Sequence, residues 1–261
     1  MSQAPAVKIA SDIDYIEASA RIVADTLTLV GKQIKAGVKT IELEKIAEDF
    51  ILSRGGRPAF KGYRVGALVF PYCLCISVED EVVHGMPGDV ELQEGQIVSV
   101  DCGVEKDGFF GDSARTFAVG AISEEKQRLL DVTKESLYLG LAQAVARKKV
   151  YNIAGAVQRH VEKNGFSVVR DLVGHGIGRR LHEEPALPNF VPPLLHRAQY
   201  PNVKLRVGQA LAIEPMVNIG TANVTTDDDG WTVRSADRKP SAHFEHTVIV
   251  QEREPLILTE E

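Results

Sequence analysis

Apolar residues recur with helical spacing over two stretches in each half of the chain. In the first half the spacing predicts a long helix over residues 12–36 and a shorter helix opening at Thr40. In the second half it predicts a long helix capped by Ser123 and a shorter helix from Asn152 to Gly165. The short helices begin 152 − 40 = 112 residues apart, and strands follow each pair. We infer an α+β protein in which two similar halves share a central antiparallel sheet.

Two further stretches, residues 92–101 and 205–214, repeat one pattern of hydrophobic and polar positions. Each reads L-x-x-G-Q, then four apolar or small residues, then a carboxylate, which is Asp101 in the first and Glu214 in the second. An apolar run behind a turn residue is typical of a buried strand. Burying the carboxylate at its end is unfavourable unless a cation compensates for the lost hydration. The repeat therefore predicts a metal site where the two halves meet.

Each half supplies a second acid at a strand. Residues 106–108 (Lys-Asp-Gly) predict a hairpin that places Asp112 on the strand beside Asp101, with the two side chains facing one another. Glu245 borders an apolar strand in the second half, as Glu214 does. Any one of these acids alone would more often be a surface group. Four carboxylates brought together would repel and raise one another's pKa values, and a pair of divalent cations removes that conflict.

Histidine adds a nitrogen ligand to this set. His175 lies between two glycines, which let the backbone approach a ligand closely, and it is the best candidate for an imidazole ligand. His84 and His182 also lie near apolar segments and better suit contacts with a substrate. A lone histidine is usually structural, so we predict no role for His160 and His196.

The predicted ligand set is four carboxylates and one neutral imidazole. Such a site is rich in oxygen and suits Mn²⁺, Fe²⁺ or Co²⁺, and it also accepts Zn²⁺. Two ions about 3.5–4 Å apart share a water molecule and generate hydroxide near neutral pH. The residues therefore predict a dinuclear metallohydrolase.

Composition and charge exclude several classes of protein and of binding partner. The 261 residues are 44% hydrophobic and 25% charged, a balance typical of soluble globular proteins. With a net charge of −6 the chain has no basic footprint for nucleic acid, and no apolar run reaches the roughly 20 residues that span a bilayer. The start has no secretory signal, and the three cysteines lack zinc-site spacing. We expect a cytoplasmic monomer with reduced cysteines and no membrane or specific nucleic-acid partner.

Seven ordered motifs give the chain a family resemblance from residue 12 to residue 258. The chain resembles the type I methionine aminopeptidases, which belong to the pita-bread metallopeptidases of family M24. The motifs lie at residues 75–85, 100–103, 111–116, 174–178, 182–185, 212–216 and 244–247.

The resemblance implies the pita-bread (creatinase/aminopeptidase) fold, with two pseudo-symmetric halves around a central antiparallel sheet. A short N-terminal extension, residues 1–11, would precede one catalytic domain over residues 12–261. The halves of that domain would span about residues 12–121 and 122–261.

The resemblance also assigns metal ligands. In the family pattern Asp112 and Glu245 bridge two divalent ions, Asp101 holds one of them, and His175 with Glu214 holds the other. All five positions carry the residue types of the family.

The implied reaction removes the first methionine of a nascent polypeptide whose second residue is small. Because nascent chains emerge from the ribosome, such a substrate is compatible with a contact between the enzyme and the ribosome. A hydroxide bridging the metals would attack the scissile carbonyl, and Glu214 would act as general base. His84 and His182 would bind the substrate and stabilise the tetrahedral intermediate. The family's methionine pocket corresponds to Phe60, Tyr63, Phe70, Cys75, Leu181 and Trp231.

Some positions depart from the family pattern. Glu79 replaces the usual Asn near a possible monovalent-cation site, which puts that cation in doubt, and His243 replaces the usual Gln two residues before Glu245. The segments of residues 62–71 and 189–205 are each a few residues longer than expected, and we expect both to affect access to the site.

Two other functions are weighed against this one. A pita-bread peptidase that cleaves X-Pro bonds usually has an additional N-terminal domain and an Arg at the position of His243. A non-catalytic pita-bread protein that binds peptide, histone or RNA would have lost ligands that this chain keeps. Both alternatives fit the sequence less well than a methionine aminopeptidase does.

Overall fold

The computed structural model describes residues 6–260. Its helices follow the predicted plan of a long and a short helix in each half, so that part of the prediction is confirmed. The helices are α1 (Ala10–Gly31), α2 (Thr40–Ser53), α3 (Glu124–Leu141) and α4 (Val150–Lys163), with a short 3-10 turn at Leu194–His196.

The C-terminal end of the first long helix differs from the prediction, whereas the N-terminal end of the second agrees with it. The first helix stops at Gly31 rather than at residue 36, because the amides of Gln33 and Ile34 bond to the carbonyls of Val30 and Gly31, three residues back, in a tightened last turn. Ser123 caps α3 as predicted, since its side chain accepts a hydrogen bond from the amide of Lys126.

The helix α4 begins before Asn152, which therefore is not its cap. Asn152 lies within the first turn, and its side-chain oxygen accepts a hydrogen bond of 2.8 Å from the amide of Lys149. The side chain still satisfies a backbone donor at the helix start, from a position three residues further along.

Seventeen strands, short and long, complete the fold over residues 6–260. They are β1 (Arg57–Pro58), β2 (Arg64–Val65), β3 (Leu68–Val69), β4 (Leu74–Val78), β5 (Glu81–Val83), β6 (Ile97–Lys106), β7 (Phe109–Ala118), β8 (Ser167–Val168), β9 (Gly174–Gly176), β10 (Glu183–Leu187), β11 (Ala210–Ile213), β12 (Met216–Asn218), β13 (Val224–Thr226), β14 (Val233–Ser235), β15 (Ser241–His243), β16 (His246–Ile249) and β17 (Leu256–Ile257).

The longest strands form the predicted hairpin. β6 pairs with β7 along ten residues, and the connecting turn holds Asp107 and Gly108 at φ values of 54° and 80°, which suits a two-residue turn of type I′. Asp101 lies opposite Ala114, and Asp112 lies opposite Gly103. The two acids therefore share one face of the sheet as a diagonal pair, not as the directly facing pair that we expected.

The strands of the second half are shorter and interrupted. One sheet has the order β10-β9-β11-β16-β17, and another has the order β15-β12-β8. Between β11 and β12 the ladder stops at Glu214 and Pro215, and between β15 and β16 it stops at Phe244 and Glu245. Both acids of this half therefore lie at breaks between strands.

Strand β7 is joined to the second half by hydrogen bonds to a threonine hydroxyl and to the backbone. The amide of Asp112 donates to Thr247 Oγ1 at 3.1 Å, and the same hydroxyl donates to the Asp112 carbonyl at 2.7 Å. The amide of Glu245 donates to the carbonyl of Ala114 at 2.9 Å. These bonds bring the acids of the two halves into one place.

Each half has its own apolar core. The first packs α1 and α2 against β4 and β6 around Leu27, Leu43 and Val100, and the second packs α3 and α4 around Leu137 and Leu211. A third cluster, which includes Phe60 and Ile249, connects them. Within residues 6–260, none of the helices combines the length and apolar character needed to cross a bilayer.

Candidate active site

The four acids lie at the floor of one cavity of about 350 Å³. Every residue that the sequence assigned to a ligand, catalytic or pocket role lines this cavity. These residues are Phe60, Tyr63, Phe70, Cys75, His84, Asp101, Asp112, His175, Leu181, His182, Glu214, Trp231 and Glu245. The structure thus brings the predicted residues together, while their individual roles stay predictions.

The ligand atoms converge on the centre of the cavity floor. One side-chain ligand atom from each of Asp112, His175 and Glu245 lies within 4.8 Å of the others. His175 Nε2 is 3.6 Å from Glu214 Oε1 and 4.0 Å from Asp112 Oδ2. Asp101 shares the sheet face of Asp112. The five groups can therefore surround a common volume.

Several oxygens of this cluster lack partners. Among residues 6–260, the buried atoms Asp101 Oδ1, Asp112 Oδ1 and Glu245 Oε1 have no hydrogen-bond partner. An unsatisfied buried oxygen costs about 1–3 kcal/mol, and more when it is charged. Divalent cations would satisfy all three, and carboxylate oxygens with one imidazole are ligands that such ions accept. The residues present therefore fit a divalent metal site.

Burial changes the acidity of these carboxyls. It raises the pKa of Asp101 to about 7, and the charge of Glu214 raises it too, while His243 opposes the rise. Burial raises the pKa of Glu214 to about 8. For Asp112 and Glu245, burial first and neighbouring carboxylates second raise the pKa well above its usual range. Without a cation the cluster therefore holds protons near neutral pH, and a metal must displace them.

His175 is prepared to act as a neutral ligand. Burial first, and the charge of a protonated His182 second, lower the pKa of His175 to about 3. Its Nδ1 lies 2.9 Å from the carbonyl of Gly176, a contact that fixes the proton on Nδ1. The lone pair of Nε2 then points toward the acids.

The two outer histidines are held at the cavity wall. His182 Nδ1 lies 2.8 Å from the hydroxyl of Tyr63, and its ring is 4.4 Å from the ring of His175. Next to it, Glu183 is fixed by a 2.6 Å ion pair with the buried Lys8. His84 follows β5 at a positive φ of 59°, and burial lowers its pKa to about 4. Both imidazoles are therefore neutral near pH 7, because burial also lowers the pKa of His182.

Apolar and aromatic side chains line another part of the cavity, which we call the slot: Phe60, Tyr63, Phe70, Cys75, Leu181 and Trp231. The rings of Phe70 and Trp231 meet edge to face with centroids 5.3 Å apart. Cys75 lies on β4 opposite Asp101 and lines the same cavity. Aromatic rings and sulfur are favourable neighbours for a thioether side chain.

The structure adds a group that the sequence left unassigned. His243 is buried at the end of β15, and its Nε2 is 3.6 Å from Glu214 Oε2 with no hydrogen-bond partner in the described part of the chain. The ring faces Glu214, and its charge when protonated would lower the pKa of Asp101, so His243 borders the acid cluster. Only its departure from the family pattern pointed to it in the sequence.

Glu79, the other position that departs from the family pattern, forms an ion pair with a lysine of the same chain. Its carboxylate accepts hydrogen bonds from the amide of Ile97 at 2.8 Å and from the ammonium of Lys126 at 2.7 Å. The same ammonium donates to the carbonyl of Gly95 at 2.7 Å. A lysine of α3 thus supplies positive charge beside Glu79.

The sequence and the fold of this chain are similar to those of known proteins. The sequence profile of metallopeptidase family M24 matches residues 14–252. A methionine aminopeptidase of Clostridium perfringens is 48% identical over 253 residues, which cover 97% of this chain and 98% of that protein. The crystal structure of methionine aminopeptidase from Thermotoga maritima has a TM-score of 0.92 at 38% identity, covering 99% of this chain and 100% of the other.

A more distant structure shares the fold alone. Prolidase from Pyrococcus furiosus has a TM-score of 0.77 at 19% identity, and the match covers 98% of this chain and 65% of the prolidase. Both neighbours have the pita-bread fold, so the predicted fold class is confirmed. The predicted likeness to methionine aminopeptidases is confirmed by the sequence matches, and with the buried acid–imidazole cluster it supports a divalent metal. The chain belongs to metallopeptidase family M24.

Proposed function

We propose that the protein removes the N-terminal methionine from peptides and nascent polypeptides whose second residue is small. The observation that carries the proposal is a cluster of four acids, three of which have a buried oxygen without a partner, in a cavity that also has an apolar slot. Bound divalent ions would supply a hydroxide nucleophile near neutral pH and polarise the scissile carbonyl. The relatives' names give the substrate class.

Two ions of Mn²⁺, Fe²⁺, Co²⁺ or Zn²⁺ are proposed in this site. Asp112 and Glu245 are central in the cluster and would contact both ions, while Asp101 would complete one end. His175 and Glu214, whose ligand atoms are 3.6 Å apart, would complete the other end. Because the Lys126 ammonium already pairs with Glu79, the proposal needs no monovalent cation there.

Glu214 is proposed as the general base. Burial raises its pKa to about 8, so its carboxylate holds a proton more readily than an exposed glutamate does. A base with a pKa near the working pH can accept a proton early in the reaction and return it to the leaving amine later. Its Oε1 lies 3.6 Å from Nε2 of His175, which places the carboxylate within the acid–imidazole cluster.

Two neutral imidazoles are proposed to bind the reacting part of the substrate. They belong to His84 and His182, which line the cavity and whose pKa values are lowered by burial. The Tyr63 hydroxyl can donate to Nδ1 of His182, which leaves Nε2 of that ring as an N–H donor. We assign both imidazoles to hydrogen bonds with the substrate carbonyl and with the oxyanion that develops from it.

Methionine release from a Met-Ala-Ser peptide tests the proposal. Metal-stripped protein receives Mn²⁺, Fe²⁺, Co²⁺ or Zn²⁺ in turn, and an Ala-Pro peptide is assayed alongside. We expect methionine release with at least one metal and no cleavage of Ala-Pro. The isosteric Glu214→Gln variant should lose about 10²–10⁴-fold in rate, since general-base catalysis contributes about that much. Glu254→Gln, at an exposed glutamate, is the matched control and should keep full activity.

The other two functions predict different results. Cleavage of Ala-Pro without cleavage of Met-Ala-Ser would identify an X-Pro peptidase. If folded protein binds metal and cuts neither peptide, the non-catalytic binding function would replace the proposal.

A further inference from the structure

A small hairpin stands at the rim of the cavity. In this rim hairpin (residues 62–70), β2 pairs with β3 across a tight turn in which Gly66 has a φ of +59°. Hydrogen bonds from the amide of Gly62 to the carbonyl of Phe70 (2.8 Å) and from the amide of Phe70 to the carbonyl of Tyr63 (2.9 Å) close its base. Among the described strands, β2 and β3 pair only with each other.

The base and the tip of the rim hairpin differ in character. Tyr63 and Phe70 at the base line the slot. At the tip Val65, Leu68 and Val69 are 54%, 41% and 39% exposed. A two-stranded hairpin is marginally stable by itself, and three exposed aliphatic side chains on such a short element leave apolar area without a partner.

Two of the three exposed aliphatic side chains, those of Val65 and Leu68, are continuous with the cavity wall. Val65 itself lines the cavity. Leu68 packs against Gly230, where an added Cβ would lie 2.7 Å from Leu68 Cδ1, and the next residue is Trp231 of the slot. The apolar surface therefore runs without interruption from the slot to the tip of the rim hairpin.

We propose that the rim hairpin binds apolar side chains on the third and fourth residues of the peptide substrate. The inference rests on the proposed function, because it needs the first side chain to occupy the slot. An extended peptide advances about 3.3 Å per residue, so its third and fourth residues lie about 7–10 Å from the first. Val65 is two residues from Tyr63 and lies within that reach along its own strand.

A second copy of the chain fits this surface less well. A stable protein–protein interface buries about 800 Å² on each partner, and three partly exposed aliphatic side chains supply a small part of that area. A peptide side chain needs only a local apolar contact next to the slot.

Two peptides of equal length test the inference. Met-Ala-Leu-Leu-Ser and Met-Ala-Ser-Ser-Ser share the cleaved bond and differ only at the third and fourth residues. We expect kcat/KM to be about tenfold higher for the leucine peptide, since each partly buried leucine contributes a few-fold to binding. In the Val65→Ser/Leu68→Ser/Val69→Ser variant the ratio should fall to about one to two.

Two further variants keep the test decisive. Val90→Ser removes a valine that is 55% exposed and does not line the cavity, and its peptide ratio should match that of the parent chain. The single change Leu68→Ser should lower the ratio by about two- to threefold, which is measurable even if the triple variant does not fold.

Each outcome separates the inference from the proposed function. If neither peptide is cut with any metal, the proposed function fails and the inference fails with it. Equal rates for both peptides in the parent chain, or an unchanged ratio in the folded rim variants, overturn the inference alone. A dimer in light scattering that the triple variant disperses would make a second copy the occupant and also overturn it.

Discussion

The two halves of the molecule repeat one plan but present their acids differently. In the first half Asp101 and Asp112 lie within uninterrupted strands of ten residues each. In the second half Glu214 and Glu245 lie at breaks between short strands, and the longer glutamate side chains start from irregular backbone. The repeated sequence pattern thus determines the position of each acid in the sequence. The local backbone determines how its side chain is directed toward the other acids.

The neighbours of the acids differ as well. Glu214 lies between two imidazoles, with Nε2 of His175 and Nε2 of His243 each 3.6 Å from one of its oxygens. Asp101 faces the thiol-bearing Cys75 across the β4–β6 ladder. Nitrogen ligands favour different divalent ions from purely oxygen ligands. In the proposed site with two metal ions, the pseudo-symmetric halves would therefore give two chemically unequal subsites.

The largest expected effect comes from the acids that both subsites share. Glu245→Gln keeps the shape of the side chain and removes its charge, and Asp112→Asn does the same from the first half. Each should lower methionine release by about 10³-fold or more, because a shared ligand is lost from both subsites and catalysis in such clusters is not additive. Steady-state rates at saturating Mn²⁺ measure the effect. A loss below tenfold in either variant would show that its acid is not shared.

An intermediate loss of activity is expected when a ligand of only one of the two proposed metal subsites is replaced. Asp101→Asn weakens the oxygen-rich end, and His175→Ala weakens the end that holds an imidazole. We expect about 10²-fold lower activity at limiting metal in each, with partial recovery as Mn²⁺ is raised, because one ligand of one subsite is lost. Activity against metal concentration checks this. Identical curves for both variants with Mn²⁺ and with Co²⁺ would argue that the ends are equivalent.

Stability against pH gives a third test, on metal-free protein. The folded-state pKa values of Asp101 and Glu214 are raised to about 7 and 8, so the folded chain holds protons that the unfolded chain loses near pH 4. Each carboxyl that keeps its proton lowers the free energy of unfolding by about 1.4 kcal/mol per pH unit as pH rises toward its folded pKa.

At lower pH the buried histidines make the free energy of unfolding rise with pH, which is opposite to the effect of the acids. His175 has a folded pKa of about 3, so its contribution to stability rises with pH only up to the unfolded value near 6.5. Between about pH 6.5 and 8 the acids act alone, and the melting temperature should fall. Calorimetry with and without Mn²⁺ checks this, and the metal should suppress the fall. A melting temperature that rises with pH in this window without metal would contradict the account of the acid cluster.

The smallest expected effect concerns His243. We expect its Nε2–H to hold Glu214, so His243→Leu should lower activity about tenfold, in the range for groups that orient a ligand. His243→Gln restores an N–H donor and should stay within about twofold of the parent. Equal losses in the two variants would show that packing at this buried position, and not the hydrogen bond, is responsible.

Much of this fold and site follows from local sequence signals. The Asp-Gly turn predicts the β6–β7 hairpin, and the repeated apolar runs locate Asp101 and Glu214. Helix spacing predicts four helices, although their ends depend on individual hydrogen bonds such as that of Asn152. These features are encoded in short stretches of neighbouring residues.

Other features depend on contacts between distant residues and were not predictable. Lys126 reaches Glu79 from a helix 47 residues further along the chain. Nε2 of His243 lies 3.6 Å from Oε2 of Glu214, which is 243 − 214 = 29 residues earlier in the chain, so this contact is set by the tertiary fold. The extra length at residues 62–71 was visible in the sequence, but its exposed apolar tip was not.

Calorimetric titration of metal-free protein with Mn²⁺ tests the central claim that the two halves build two unequal metal subsites. For the parent chain we predict two binding events with clearly different affinities. Asp101→Asn and His175→Ala should each leave one event, and the remaining affinities should differ between the two variants. A single binding event with the same affinity in all three proteins would contradict the claim.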